Sequence, residues 1–148
     1  MKRYYIAYGS NLSVEQMAHR CPQATIIGTS ELINYKLLFK GAPSNSYATI
    51  EESKGDRVPV LVWELQTKDE KALDRYEGYP TFYFKKTVFI EVNNKVIEAM
   101  VYIMNDKANI GIPNPNYYNI IEKGYRKFNF DNTILKAALK ISIDNTKR

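Results

Sequence analysis

The chain has 148 residues, 45% hydrophobic and 25% charged, with 21 Lys and Arg against 16 Asp and Glu for a net charge of +5. This is the composition of an ordinary globular domain, long enough to build a core without disulfides or a structural metal. The basic residues are scattered, with no cluster denser than Lys123, Arg126 and Lys127, which reads as a solvated surface rather than a nucleic-acid footprint.

In chain order, Tyr4 to Tyr8 is aromatic and apolar and predicts a buried strand. The segment Met1 to Ile6 passes straight into that strand, without the apolar stretch and small-residue cleavage site of a signal peptide. Gly9-Ser10-Asn11-Leu12 follows as a tight loop, and Ser13-Val14-Glu15-Gln16 has capping-box form for a helix over about 14–20, stopped by Pro22. Residues 24–40 read as extended, 41–46 as a loop, 47–50 as a strand, 54–56 as a turn, and 58–65 as a strand carrying the single tryptophan, Trp63. Thr67-Lys68-Asp69-Glu70 is a second capping box, opening a helix that ends near Glu77 with Gly78 beyond it. Residues 82–92 and 96–104 predict a hairpin turning at Asn93-Asn94. In its second arm Tyr102 falls on the more polar side of the alternation. Asn114-Pro115 opens a helix whose inner face is Tyr117, Ile120, Ile121, Gly124, Tyr125 and Phe128. A last helix begins near Asp131, with Ile134, Leu135, Ala138 and Ile141 inward and residues 145–148 frayed. The order of elements is mixed, with no repeat and no regular βαβ rhythm. It predicts one α+β domain over residues 1–148, built around a strongly curved sheet.

No apolar run reaches bilayer-spanning length, and a cytoplasmic location without a membrane partner is the expectation. Cys21 is the one cysteine and His19 the one histidine. That excludes an internal disulfide and a histidine-rich metal site, and it disfavours a Ser-His-Asp triad. Two residues apart on a helix, their side chains do not meet.

Three features carry candidate chemistry. The Gly9–Leu12 loop joins a strand to a helix start, so its N–H groups suit an anion, although an ordinary turn has the same form. Glu77, at a helix C-terminus among Tyr76, Tyr79, Phe82 and Tyr83, is exposed to the negative end of the helix dipole and to desolvation. Both effects raise a carboxyl pKa toward that of a general base, whereas a solvated Glu near a helix end feels neither. Tyr8, Tyr102 and Tyr117 lie on separate elements that converge in a compact fold, as site groups or as core packing.

Tyr5-Ile6-Ala7-Tyr8-Gly9-Ser10-Asn11-Leu12 resembles the Y-x-x-Y-G-S-N-L loop of the gamma-glutamylcyclotransferase-like family, AIG2-like proteins included. Arg20 to Ala24 resembles its R-x-P-x-A segment, Leu32 to Phe39 its L-x-x-(Y/F)-x-L-x-F strand, and Leu73 to Gly78 its L-D-x-x-E-G segment. Tyr102-Ile103-Met104 and Pro115 to Tyr118 fit later tyrosine-containing blocks, so the likeness extends over about residues 4–130. It implies a small mixed barrel-like sheet flanked by helices. It also implies a cofactor-free and metal-free enzyme that cyclises an L-γ-glutamyl compound, a small-molecule substrate, to 5-oxoproline with release of an amine or amino acid, as in glutathione metabolism. Carried over by position, Glu77 is the general base. Tyr5, Ile6, Ala7, Tyr8, Gly9, Ser10 and Asn11 bind the glutamyl moiety, with Tyr102 and Tyr117 as further contacts. Tyr118 competes with Tyr117 for that register. The aromatic stretch Tyr79 to Tyr83 departs from the glutathione-pathway branch and lies closer to small prokaryotic members, which leaves the departing amine open; the sequence does not fix the oligomeric state either.

Two other readings compete. One is a non-catalytic module of the same fold that holds a carboxylate-bearing metabolite. The other is RNA binding through Lys123 to Phe130, which matches K-G-(F/Y)-(G/A)-F-V-x-(F/Y) at its ends but fails at Arg126 and Lys127.

Overall fold

A computed structural model describes residues 3–105 and 107–146. Its elements are β1 (Arg3–Ala7), a 3-10 turn (Ser10–Leu12), α1 (Val14–Arg20), β2 (Thr25–Ala42), β3 (Asn45–Leu65), α2 (Thr67–Glu77), β4 (Tyr83–Val92), β5 (Lys95–Met104), α3 (Pro115–Lys127) and α4 (Asn132–Thr146). The five strands form one sheet in the order β2-β3-β1-β5-β4. β1 is central, antiparallel to β3 from Arg3↔Leu65 to Ala7↔Leu61 and parallel to β5 at Tyr4↔Ala99 and Tyr5↔Met100. The sheet curls until its edges meet in part: Ser30 Oγ donates to the Glu91 carbonyl, and Asn93 Nδ2 donates to the Ile27 carbonyl at 3.1 Å. This is the expected mixed, barrel-like α+β architecture.

Local chemistry accounts for most boundaries. Ser13 caps α1 by accepting from Gln16 N at 3.2 Å. Asn114 caps α3, with Pro115 at its first position. Asn93 and Asn94 take φ of 52° and 64°, the positive angles that a two-residue hairpin turn requires. Gly78 ends α2 in the left-handed region at φ 66°.

The departures from expectation also have physical causes. α2 is capped by Gln66, not Thr67, because Asp69 Oδ2 accepts from Gln66 N at 3.0 Å. The expected 41–46 loop shrinks to Pro43-Ser44, as β2 and β3 pair as far as Ala42↔Asn45. The 54–56 turn is an irregularity inside β3, facing Asn34, whose Oδ1 accepts from Gly55 N at 3.0 Å. Ile141 is 36% exposed while Ser142 is buried, so the last turns of α4 present a different face. α4 runs through Thr146, so Asn145 and Thr146 are helical, while Lys147 and Arg148 lie outside the described residues. Residues 123–127 are helical, so the strand that RNA stacking requires there is not formed. Ala99 to Met104 are all buried, so the polar alternation read in β5 vanishes where both sheet faces are covered.

α3 lies against the 3-10 turn. A Cβ placed on Gly124 would come 2.6 Å from Leu12 Cβ, and Leu12 is fully buried. Gly124→Ala is therefore expected to destabilise the fold by ~1–3 kcal/mol, read as a lowered urea midpoint. A wild-type midpoint would show that the turn yields freely to the helix.

Candidate active site

β1 ends inside the sheet and the chain turns sharply at Gly9 into the 3-10 turn. The turn closes with Leu12 N donating to the Gly9 carbonyl and Ser13 N to the Ser10 carbonyl, both at 3.0 Å. The N–H groups of Ser10 and Asn11, at the start of the turn, have no acceptor within it. Asn11 fixes the turn: its Nδ2 donates to Tyr5 Oη at 2.9 Å, its Oδ1 accepts from Arg20, and its carbonyl accepts from Trp63 Nε1 at 3.2 Å. Opposite, α2 delivers Tyr76 and Glu77 at its last turn. Between these walls lies a cavity of about 250 Å³.

Every expected site residue except Ala7 lines this cavity: Tyr5, Ile6, Tyr8, Gly9, Ser10, Asn11, Glu77, Tyr102 and Tyr117. Ala7 is buried but does not line it. Tyr117, not Tyr118, reaches the cavity; the Tyr118 ring packs on Phe39 at 6.0 Å. Sequence reasoning gave no site role to Tyr47 or Ala48, which arrive on β3. Tyr76, Phe82 and Tyr83 were noted only as neighbours of Glu77, and all three line the cavity. Tyr79 does not.

Glu77 is the one charged side chain lining the cavity among the described residues. Burial pushes its carboxyl from an ordinary 4.5 up to about 7, against a smaller downward pull from Arg20. Tyr5, Tyr8, Tyr83, Tyr102 and Tyr117 are all raised, first by burial, and the charge of Glu77 adds to each. These hydroxyls therefore stay protonated around the carboxylate. Three are spent on fixed acceptors: Tyr8 on the Tyr102 carbonyl (2.6 Å), Tyr83 on the Ala48 carbonyl (2.7 Å) and Tyr102 on Asp74 Oδ1 (2.6 Å). Asp74 is in turn held by Lys85. Tyr5 and Tyr117 instead accept, from Asn11 Nδ2 and from Ala48 N (3.0 Å). Each thus keeps its own proton to donate. Cys21 is buried, its thiol raised to about 12 by burial, so it is no nucleophile.

Comparison with known proteins shows the family. A family model described as "Gamma-glutamyl cyclotransferase, AIG2-like" matches residues 5–125, from Tyr5 through Glu77 and Tyr117. The chain belongs to this family. The gamma-glutamylcyclotransferases of Bos taurus and Homo sapiens are 32% and 33% identical to it over 132 and 135 residues, each covering 83% of this chain and 70% of the relative. A solved gamma-glutamyl cyclotransferase superposes with a TM-score of 0.83 at 26% identity, over 93% of this chain and 86% of that one. A yeast cyclotransferase specific to glutathione, at 10% identity and a TM-score of 0.64, shares the fold alone. These relatives are named as enzymes, and the chain is an enzyme. No helix among the described residues is long and apolar enough to cross a membrane.

The raised carboxyl of this family member has a consequence for stability. The folded state holds the Glu77 proton more tightly than the unfolded chain does. Its contribution is therefore fully present below about pH 4.5 and is lost as pH rises through about 7. Glu77→Gln should be more stable than wild type at pH 8, by up to ~3 kcal/mol at ~1.4 kcal/mol per pH unit. The difference should close below pH 4.5 in paired denaturation curves. A pH-independent difference would place the carboxylate in water.

Proposed function

We propose that this chain converts an L-γ-glutamyl compound into 5-oxoproline and a free amine or amino acid, with Glu77 carrying the protons. The observation that supports this most directly is a single carboxylate facing an aromatic cavity, with a pKa raised to about 7. A base of that pKa is ionised near neutrality yet able to return its proton, the compromise that general acid–base catalysis favours. The substrate supplies its own nucleophile, so the inert Cys21 and the absence of a histidine from the cavity lining are no obstacle.

In this reading Glu77 takes a proton from the substrate α-ammonium and frees its lone pair. The amine attacks the side-chain carbonyl carbon, a nitrogen–carbon bond forms, and the carbonyl oxygen becomes an oxyanion. Collapse restores the carbonyl and breaks the bond to the departing nitrogen. Two protons leave the attacking nitrogen overall and two arrive at the departing one, so Glu77 ends as it began and no water is consumed. The N–H groups of Ser10 and Asn11, the Ser10 hydroxyl and the free protons of Tyr5 and Tyr117 are the donors for carboxylate and oxyanion. The aromatic walls fold the flexible glutamyl chain toward its own carbonyl, which offsets an entropic cost of roughly several kcal/mol. A mere carboxylate binder gains nothing from Glu77, since a second negative charge in the cavity opposes binding.

The test is 5-oxoproline release from γ-glutamyl-amino acids, γ-glutamylamines and γ-glutamyl-ε-lysine. Release from at least one class is expected, with kcat/KM falling as pH drops below about 7 and Glu77→Gln losing ~10²–10⁴-fold in kcat. Full turnover by Glu77→Gln would remove the carboxylate from the mechanism. Gly9→Val probes the loop separately. A Cβ there would meet Ala48 Cβ at 3.3 Å and Tyr117 Oη at 3.5 Å. A rise in KM on the order of tenfold, ~1.4 kcal/mol, is expected; unchanged KM would mean that the substrate does not touch the loop.

A further inference from the structure

Arg20, the last residue of α1, does not line the cavity, yet it touches both walls. Its guanidinium donates to Asn11 Oδ1 on the 3-10 turn, and its carbon Cζ lies 3.6 Å from the centroid of the Tyr76 ring on α2. Tyr76 precedes Glu77 directly, and its hydroxyl lies 3.4 Å from Ser10 Oγ. The contacts form a closed circuit: Asn11 to Arg20, Arg20 to Tyr76, Tyr76 to Ser10, and Ser10 to Asn11 through the backbone. Tyr76 is 47% exposed, so burial alone does not fix its ring.

We propose that Arg20 is a positioning residue that latches the 3-10 turn to the end of α2, holding the loop donors and the Glu77 carboxylate in register across the cavity. The guanidinium suits this task because it is flat. One edge donates in plane while the flat face stacks on an aromatic ring, a fixed geometry that the compact ammonium of a lysine on its flexible stem does not reproduce. The contacts lie at the turn and at Tyr76, so loss of the latch loosens glutamyl binding. Among the described residues Arg20 is also the one cation that acts on Glu77; the groups facing Glu77 from β1 and the residue after it, β4, β5 and α3 are the neutral hydroxyls of Tyr5, Tyr8, Tyr83, Tyr102 and Tyr117. The latch therefore leaves two separable signatures, one in KM and one in the pH profile.

This inference rests on the proton-carrying role of Glu77. The experiment follows 5-oxoproline release in the full chain from pH 5.5 to 9 with the best γ-glutamyl compound of the panel, for wild type, Arg20→Lys, Arg20→Met and Glu77→Gln. Arg20→Lys is expected to keep the acid limb of kcat/KM in place but to raise KM several-fold, with a smaller fall in kcat as the base and loop donors lose register. Arg20→Met should raise KM further and move the acid limb upward by ~0.5–1 pH unit, because the opposite charge is gone. Wild-type KM in Arg20→Lys, or an unmoved acid limb in Arg20→Met, overturns the proposal. Where Arg20→Met does not fold, the KM of Arg20→Lys decides. An active Glu77→Gln would overturn the reading beneath it, whereas failure of the arginine variants with Glu77→Gln inactive is a failure of the latch alone.

Discussion

A carboxylate set in an aromatic cavity, with no side chain or backbone group among the described residues donating a hydrogen bond to it, is the constraint on which the rest of this structure turns. Burial alone raises Glu77 to about 7, and burial needs walls. Those walls come from six elements spread along the chain: β1 with its turn, β3, the end of α2, β4, β5 and α3. The curled sheet makes this convergence possible. A flat sheet would spread Tyr5, Tyr83 and Tyr102 over one face, whereas curling lets strands and helices close round one point. Stability is given up at that point, since a Glu that resists ionisation weakens the fold at neutral pH, as is common where function sets the residue.

The opposite wall must be rigid without being filled. The 3-10 turn meets this through Asn11, whose side chain and carbonyl together hold Tyr5, Arg20 and Trp63. With Asn11 committed to the protein on three sides, the turn keeps its shape while the N–H groups at its start stay uncommitted. Gly124 lets α3 approach Leu12 closely enough to back the turn from behind, and the same helix brings Tyr117 to the cavity. One close backbone approach thus serves both packing and site.

Much of this was legible in the sequence where local chemistry decides. The Ser13 and Asn114 caps, the Asn93-Asn94 turn and Gly78 at the end of α2 each rest on residues within four positions of one another. The loop and Glu77 were legible because their residue types are unusual in their settings. What escaped depends on contacts between distant segments. Tyr47 and Ala48 reach the cavity only because β3 pairs with β2 over a hairpin longer than its turn residues indicate. Tyr102 looked half-polar because alternation fails where both faces of β5 are covered. Ala7 was swept in with a contiguous motif; it shares a sheet face with Tyr5 but is buried in the core outside the lining.

The choice of tyrosine throughout the lining follows from the same constraint. A lysine or arginine in the cavity would bind a substrate carboxylate more strongly than a phenol. It would also pull the Glu77 pKa down toward ordinary values, and a base of pKa 4 takes a proton from an ammonium poorly. Phenols donate hydrogen bonds without carrying charge, and burial together with the neighbouring carboxylate keeps them protonated. Arg20 tests this logic, being the one cation among the described residues that acts on Glu77. It is held outside the lining, with its charge engaged by Asn11 and its face by Tyr76. At that distance it organises the walls while leaving the carboxylate near neutrality, a balance that the same charge inside the cavity would destroy.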